Sequence, residues 1–233
     1  MSYITVNGQY VSVNGQYITA PTPLVIKYGY LYNWYAATNV LLPNTGWTVP
    51  SLTNLSTLGT YLGDNSVAGN KLKESGLIYW QSVSSGTNTA LFNARGAGNR
   101  WWYDGAFNEI THTIYLWSTT AYSGSLGYGA YIRHDEPNFA VGDAQKNNVG
   151  SSIRLLKLST SLSNGQSGTY TGNDGQKYRT ICIGTQEWLA DNLSETKYNN
   201  GTDIPNITNG ASWAATASGA YCAYNNDLTN VFL

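Results

Sequence analysis

Polar and apolar positions alternate from the start of the chain. Val6-Asn7-Gly8-Gln9-Tyr10 returns as Val13-Asn14-Gly15-Gln16-Tyr17, and in each copy an Asn-Gly pair sits between β-prone residues, the strongest short signal for a hairpin turn. A β-hairpin arm is expected over residues 1–23, ending in Ala20-Pro21-Thr22-Pro23, whose prolines fix φ and cannot donate to a sheet. The main domain then runs over 24–158. Tyr28 to Thr38 carries aromatic residues on all sides, which predicts a short, well-buried segment rather than an amphipathic surface helix. Gly46-Trp47-Thr48-Val49-Pro50-Ser51 reads as a short strand ending at a helix N-cap. Leu52, Leu55, Leu58 and Leu62 follow at spacings of three and four, so the helix starting at Ser51 buries one leucine face. Past Gly63, Gly, Trp and Tyr dominate and helix signals are few, predicting short strands and long loops. Residues 159–168 are small, polar and turn-prone, and read as a linker. In the final block, 169–233, Tyr178–Ile183 alternates like a strand and Gln186–Leu193 resembles a short helical turn. This block is near the lower size at which a domain folds alone, so it is expected to dock on something.

Composition narrows the function classes. Charged residues make up 11% of the 233 and hydrophobic ones 42%, so a core can form and charge-driven disorder is not expected. Twelve Lys+Arg offset 13 Asp+Glu without a basic cluster, which removes the electrostatic footprint of nucleic-acid binding. No apolar run approaches the roughly 20 residues of a spanning helix, so no membrane insertion is expected. The opening residues have neither a basic start nor an apolar stretch, so export by an ordinary signal peptide is not expected. Cys182 and Cys222 allow at most one disulfide, and buried thiols rank level with a bridge. Nineteen Tyr and eight Trp among abundant Gly, Asn and Ser resemble a recognition surface on a loop-rich scaffold, although Gly, Asn and Ser also simply make turns.

Several motifs together resemble the Fibrobacter succinogenes major paralogous domain family, of the wider C-type lectin-like group. They are Tyr30-Leu31-Tyr32-Asn33-Trp34-Tyr35-Ala36, Gly46-Trp47-Thr48-Val49-Pro50-Ser51, Gly69-Asn70-Lys71-Leu72-Lys73-Glu74, Trp117-Ser118-Thr119-Thr120 and Ser152-Ile153-Arg154-Leu155. A second block, Ile183–Leu193, Lys197–Asn206 and Gly219–Asp227, is similar to the same family, but there it precedes the YGYLYNWYA segment, whereas here it follows the linker. The order suggests circular permutation, with domain swapping or one period of a repeat array as alternatives. The resemblance implies an α+β, C-type lectin-like fold with short strands, at least two short helices and long loops. Family members often carry cysteines where Leu42 and Leu155 stand, and a leucine pair can replace that bridge by apolar packing.

No catalytic constellation is found: metalloprotease, P-loop, nucleophile-elbow and C-x-x-C patterns are all missing, and an enzyme is not expected. His134 and Asp135, if adjacent on a strand, would point to opposite faces and could not share a triad. Glu136-Pro137-Asn138 matches the tripeptide with which calcium-dependent lectins ligate their ion, but the accompanying downstream Trp-Asn-Asp is missing. The tripeptide is therefore read as a turn between strands, with calcium on Glu136 and Asn138 as the competing reading and no other cofactor expected. Asn173-Asp174-Gly175 is likewise read as a turn. The lectin-like resemblance places Asn99-Arg100-Trp101-Trp102-Tyr103 and the stretch from Tyr122 to Asp135 on the ligand face. The candidate ligand-binding residues are Arg100, Trp101, Trp102, Tyr103, Tyr122, Tyr128, Tyr131, Arg133, His134 and Asn138, where rings can stack on sugars and polar groups can orient them. Trp117 is assigned mainly to the core, while Trp101 and Trp102 could serve either core or surface.

The expected function is non-enzymatic binding of a bacterial surface glycan or protein by a phage virion adhesin, such as a tail or head fibre. The alternative is a structural decoration protein whose aromatic face is an assembly contact. Expected partners are that surface ligand and other copies of the chain or virion proteins. The expected location is the virion or an extracellular surface, after assembly in the host cytoplasm.

Overall fold

The computed structural model describes residues 4–6, 9–11, 17–18, 26–81 and 85–233, with side chains from Ile26 onward. Numbered in chain order, the strands are β1 (Ile4–Val6), β2 (Gln9–Val11), β3 (Tyr17–Ile18), β4 (Leu31–Tyr32), β5 (Ala97–Arg100), β6 (Phe107–Ile110), β7 (Thr113–Ser123), β8 (Leu126–Arg133) and β9 (Ala140–Lys146), then β10 (Leu156–Lys157), β11 (Ser167–Thr171), β12 (Lys177–Ile183), β13 (Gln186–Leu189) and β14 (Tyr221–Cys222). The helices are α1 (Trp34–Ala37), α2 (Leu52–Tyr61), α3 (Asn65–Leu72) and α4 (Gly210–Ala215). The class is α+β, with short helices around several small sheets.

β1, β2 and β3 form an antiparallel sheet, with Val6 opposite Gln9 across a two-residue connection. The Asn-Gly pairs at 7–8 and 14–15 and the proline connector lie outside the described residues. The largest sheet has the order β6-β5-β7-β8-β9. Ile114 lies opposite Ile132, and both belong to a buried cluster with Leu55, Leu58, Phe92 and Trp188. The α2 leucine face is therefore the one its spacing predicts, and Ser51 caps the helix by accepting from Asn54 N at 3.2 Å. A second cluster gathers Tyr30, Tyr32, Trp117, Tyr170 and Tyr178 with Leu42 and Leu155. It joins the final block to the main domain, with these rings packed among aliphatic side chains such as Ile153, Leu189 and Leu193.

Two local expectations are corrected. α3 occupies a stretch expected to lack helix: Asp64 Oδ1 accepts from Ser66 N at 2.6 Å, and Ala68, Gly69 and Leu72 are buried. Gly69 weakens the helical signal but is required, because a Cβ there would stand 2.1 Å from the Asn138 carbonyl oxygen. Gln186–Leu189 forms strand β13 rather than a helical turn. Trp188 pairs with Leu156 on one side and Ile181 on the other, and this two-sided pairing buries all four residues of the strand. The connection at 159–168 is held by hydrogen bonds: Asn164 Oδ1 accepts from Gly184 N at 2.8 Å, Gly165 N donates to Cys182 O at 2.8 Å, and Ser167 begins β11. Cys182 and Cys222 are free, buried thiols. Among the described residues no helix is long and apolar enough to cross a membrane.

Candidate functional site

The sheet face that carries Tyr115 opposite Tyr131 presents a groove of about 370 Å³. Its walls and floor are Asn99 of β5, Trp101 and Trp102 of the following loop, Tyr115 of β7, Leu126 of β8, Asp143, Ala144, Gln145 and Lys146 of β9, and Val149. Strand alternation explains the polar floor, since Asp143 and Gln145 are two residues apart and lie opposite Gly129 and Gly127.

The loop at 101–106 turns tightly, with Trp101 N donating to Ala106 O at 2.8 Å and Ala106 N donating to Asp104 Oδ1 at 2.9 Å. Trp101 and Trp102 are each 39% exposed and Tyr103 is 60% exposed, a large apolar area left in water. Their rings support one another, Tyr103 standing edge-on to Trp101 at 5.7 Å and to Trp102 at 5.5 Å. Lys146 Nζ lies 5.5 Å from the Trp102 ring centroid, so a cation covers part of that indole.

In the lining of the groove, Gln145 Oε1 accepts from Ser151 Oγ at 3.1 Å. Asn99 and Gln145 are buried in this lining, each only 8% exposed, and the Gln145 amide neighbours the Asp143 carboxyl. Burial raises the Asp143 carboxyl above its usual value, and the neighbouring Gln145 amide partly offsets this. Tyr115 donates its hydroxyl to Glu109 Oε2 at 3.0 Å and stands 5.9 Å from Tyr131, ring to ring.

Arg100 does not belong to the binding surface. It is 1% exposed, donates to the carbonyls of Gly105 at 2.9 Å, Ile207 at 2.5 Å and Thr208 at 2.7 Å, and lies over the Phe107 and Trp213 rings. A guanidinium has five donors to satisfy and carries no orientation requirement in the sequence, so its alternation with aromatics reads equally as a surface or as a buried anchor. Here it ties the tryptophan loop to the final block.

The remaining candidates form separate groups. Tyr122 and Tyr128 stack edge-on at 5.1 Å near the β7–β8 turn. Arg133, His134, Glu136 and Asn138 lie at the other end of β8, in its connection to β9. The strand ends at Arg133, so the alternation argument does not reach His134 and Asp135; His134 Nε2 lies 3.9 Å from Asp135 Oδ1. Glu136-Pro137-Asn138 forms part of this connection, as expected. Lys73 Nζ donates to the carbonyls of Arg133 (3.0 Å), His134 (3.1 Å) and Glu136 (2.7 Å), placing an ammonium at the centre of the turn. Glu136 Oε1 lies 3.6 Å from Arg133 Nε. Among the described residues no group of three or more His, Cys, Asp and Glu side chains is placed to hold a metal ion.

The groove joins Trp101, Trp102 and, through Tyr115, Tyr131 to residues that the sequence reading left out: Tyr115, Asp143, Gln145 and Lys146. The period-two spacing of Asp143 and Gln145 was available as a signal, but nothing local says which strand lies beside the tryptophan loop.

In comparison with known families, the model of the Fibrobacter succinogenes major domain matches residues 10–157, more than half of the chain. The chain therefore belongs to that family, and the match ends at Lys157, ahead of the linker. No curated protein and no solved structure matches the chain significantly.

Proposed function

We propose that this member of the Fibrobacter succinogenes major domain family is a non-enzymatic binding module whose aromatic groove takes a bacterial surface glycan, as an adhesin on a virion or other extracellular surface. One observation carries the reading: Trp101 and Trp102, each 39% exposed, line a single groove with the polar side chains of Asp143, Gln145 and Lys146. Indole faces stack on the C–H face of a pyranose, and polar side chains such as Asp143 and Lys146 hydrogen-bond its substituents. Together they supply both the contact area and the orientation that sugar binding needs.

The test is binding of labelled protein to a glycan array and to whole bacterial cells, with Trp102→Ala as the comparison. Trp102 is exposed, so the variant should fold. It is expected to lose at least about tenfold in affinity, as removal of a central aromatic contact does. Saturable cell binding that Trp102→Ala leaves unchanged would remove the groove from the function and favour an assembly role for these rings.

A further inference from the structure

Two side chains of opposite charge line the groove without neutralising each other. Asp143 and Lys146 both border it, yet neither forms an ion pair among the described residues. Their places on β9 account for this, because three residues of extended strand set them about 10 Å apart along the backbone and on opposite sides of it. β9 is the outermost strand of its sheet, so side chains of both sides border the groove. We infer that the groove takes a zwitterionic phosphocholine group borne by the glycan, its trimethylammonium at Asp143 and its phosphate at Lys146, an inference that rests on the glycan-binding reading above.

The cationic end is defined by Asp143 and the rings beside it. Asp143 is half-buried; burial raises its carboxyl and the Gln145 amide opposes this, with no cation contributing. Its charge acts on the Tyr115 hydroxyl, which is raised by burial, then by Glu109, and further by Asp143, so carboxylate and phenol are neighbours. A trimethylammonium suits this place, because it has no N–H to satisfy and both ring faces and a carboxylate attract its charge. A primary ammonium brings three N–H groups, whereas the Gln145 oxygen already accepts from Ser151 and the Tyr115 hydroxyl is donated to Glu109. Leu126 and Val149 offer apolar surface to the methyl groups, and Trp101 a further ring face. At the other end, Lys146 Nζ stands 5.5 Å from the Trp102 ring centroid, an ammonium placed at the groove to receive an anion such as phosphate.

The experiment titrates the full chain, by tryptophan fluorescence at neutral pH, with phosphocholine, choline and methyl phosphate. Phosphocholine is expected to bind about tenfold or more tightly than either half, since it alone engages both charges. Asp143→Asn should weaken phosphocholine and choline about tenfold without weakening methyl phosphate, and Lys146→Met should bring phosphocholine down to the affinity of choline. Both substitutions keep side-chain length, and Asp143→Asn removes a charge that burial disfavours, so a cooperative melt serves as the folding control. Folded protein that does not bind phosphocholine, or binds it equally well in both variants, overturns the inference. Glycan binding survives that result if the array holds a choline-free glycan whose binding Trp102→Ala abolishes. Phosphocholine-bearing glycans on the array, beside phosphatidylcholine vesicles, separate the two carriers of the group. Binding to the vesicles and to no glycan would keep the phosphocholine assignment and overturn the glycan reading. If the array, the vesicles and all three small ligands are silent with folded protein, the inference and the glycan reading fall together.

Discussion

Glu195 is fully buried against the 173–175 turn, where Oε2 accepts from the backbone N–H of Asn173 at 2.9 Å and Asp174 at 3.2 Å while Oε1 has no partner. Burial first, and the nearby Asp174 carboxylate second, push its carboxyl up to about 8. Unfolded, the same group titrates near the ordinary glutamate value, so between these two pH values the folded chain holds a proton that the unfolded chain has released. Stability from this group is full at low pH, falls as pH rises through that window, and levels off above about 8. Glu195→Gln cannot ionise and escapes the loss. Thermal melts at pH 5 and pH 9 should therefore show wild type losing several degrees more than the variant, and parallel curves would refute the assignment. Lys73, lowered to about 8 by burial, contributes equally to both proteins and cancels in the comparison. Neither Glu195 nor Arg100 was legible as a buried charge. A single residue's type fixes how many bonds it needs, but only the assembled fold supplies Ile207 and Thr208 as acceptors more than a hundred residues away.

At the scale of elements, the tryptophan loop depends on a close backbone approach. Gly105 has φ +70°, and a Cβ there would stand 2.4 Å from Gly210 Cα at the start of α4. Both atoms belong to backbone, so neither can rotate aside. Gly105→Ala is expected to cost about 1–3 kcal/mol in chemical denaturation, and to weaken groove binding by displacing Trp101 and Trp102. An unchanged denaturation midpoint would show that the loop is not pinned there. The loop's aromatic content was plain from Trp101-Trp102-Tyr103, and α2 from its leucines, because those signals are local. β13 was misread for the opposite reason: Gln186-Glu187-Trp188-Leu189 has no strong strand pattern, and its conformation comes from β10 and β12 on either side. α3 was missed because Gly69 serves the β8–β9 connection, and its cost to the helix is visible in the sequence while its purpose is not.

Across the whole molecule, the two ends of the region from Ile26 to Leu233 meet. Ile26 and Phe232 form an antiparallel bridge, Lys27 N donates to Val231 O at 2.7 Å and Tyr28 N to Asn230 O at 3.2 Å, while β4 pairs with β14 through Tyr32 and Tyr221. Within one chain, the end of the final block thus lies against the segment that begins at Ile26, so the two can be joined directly. The opposite junction is open as well, since Leu158 and Ser159 are exposed. A rearranged chain should therefore fold: it would start at Ser159, run to Leu233, cross about four Gly/Ser residues to Ile26, and end at Leu158. The new connection closes an existing antiparallel bridge, and the cut interrupts no strand, because β10 ends at Lys157. The expected result is a monomer with a cooperative melt within a few degrees of the parent lacking residues 1–25, and with the same sugar binding. A dimer that forms only in the original order would instead mean that the block completes a neighbouring copy. An insoluble or non-cooperative rearranged chain would mean that the present order carries folding information that the contacts alone do not.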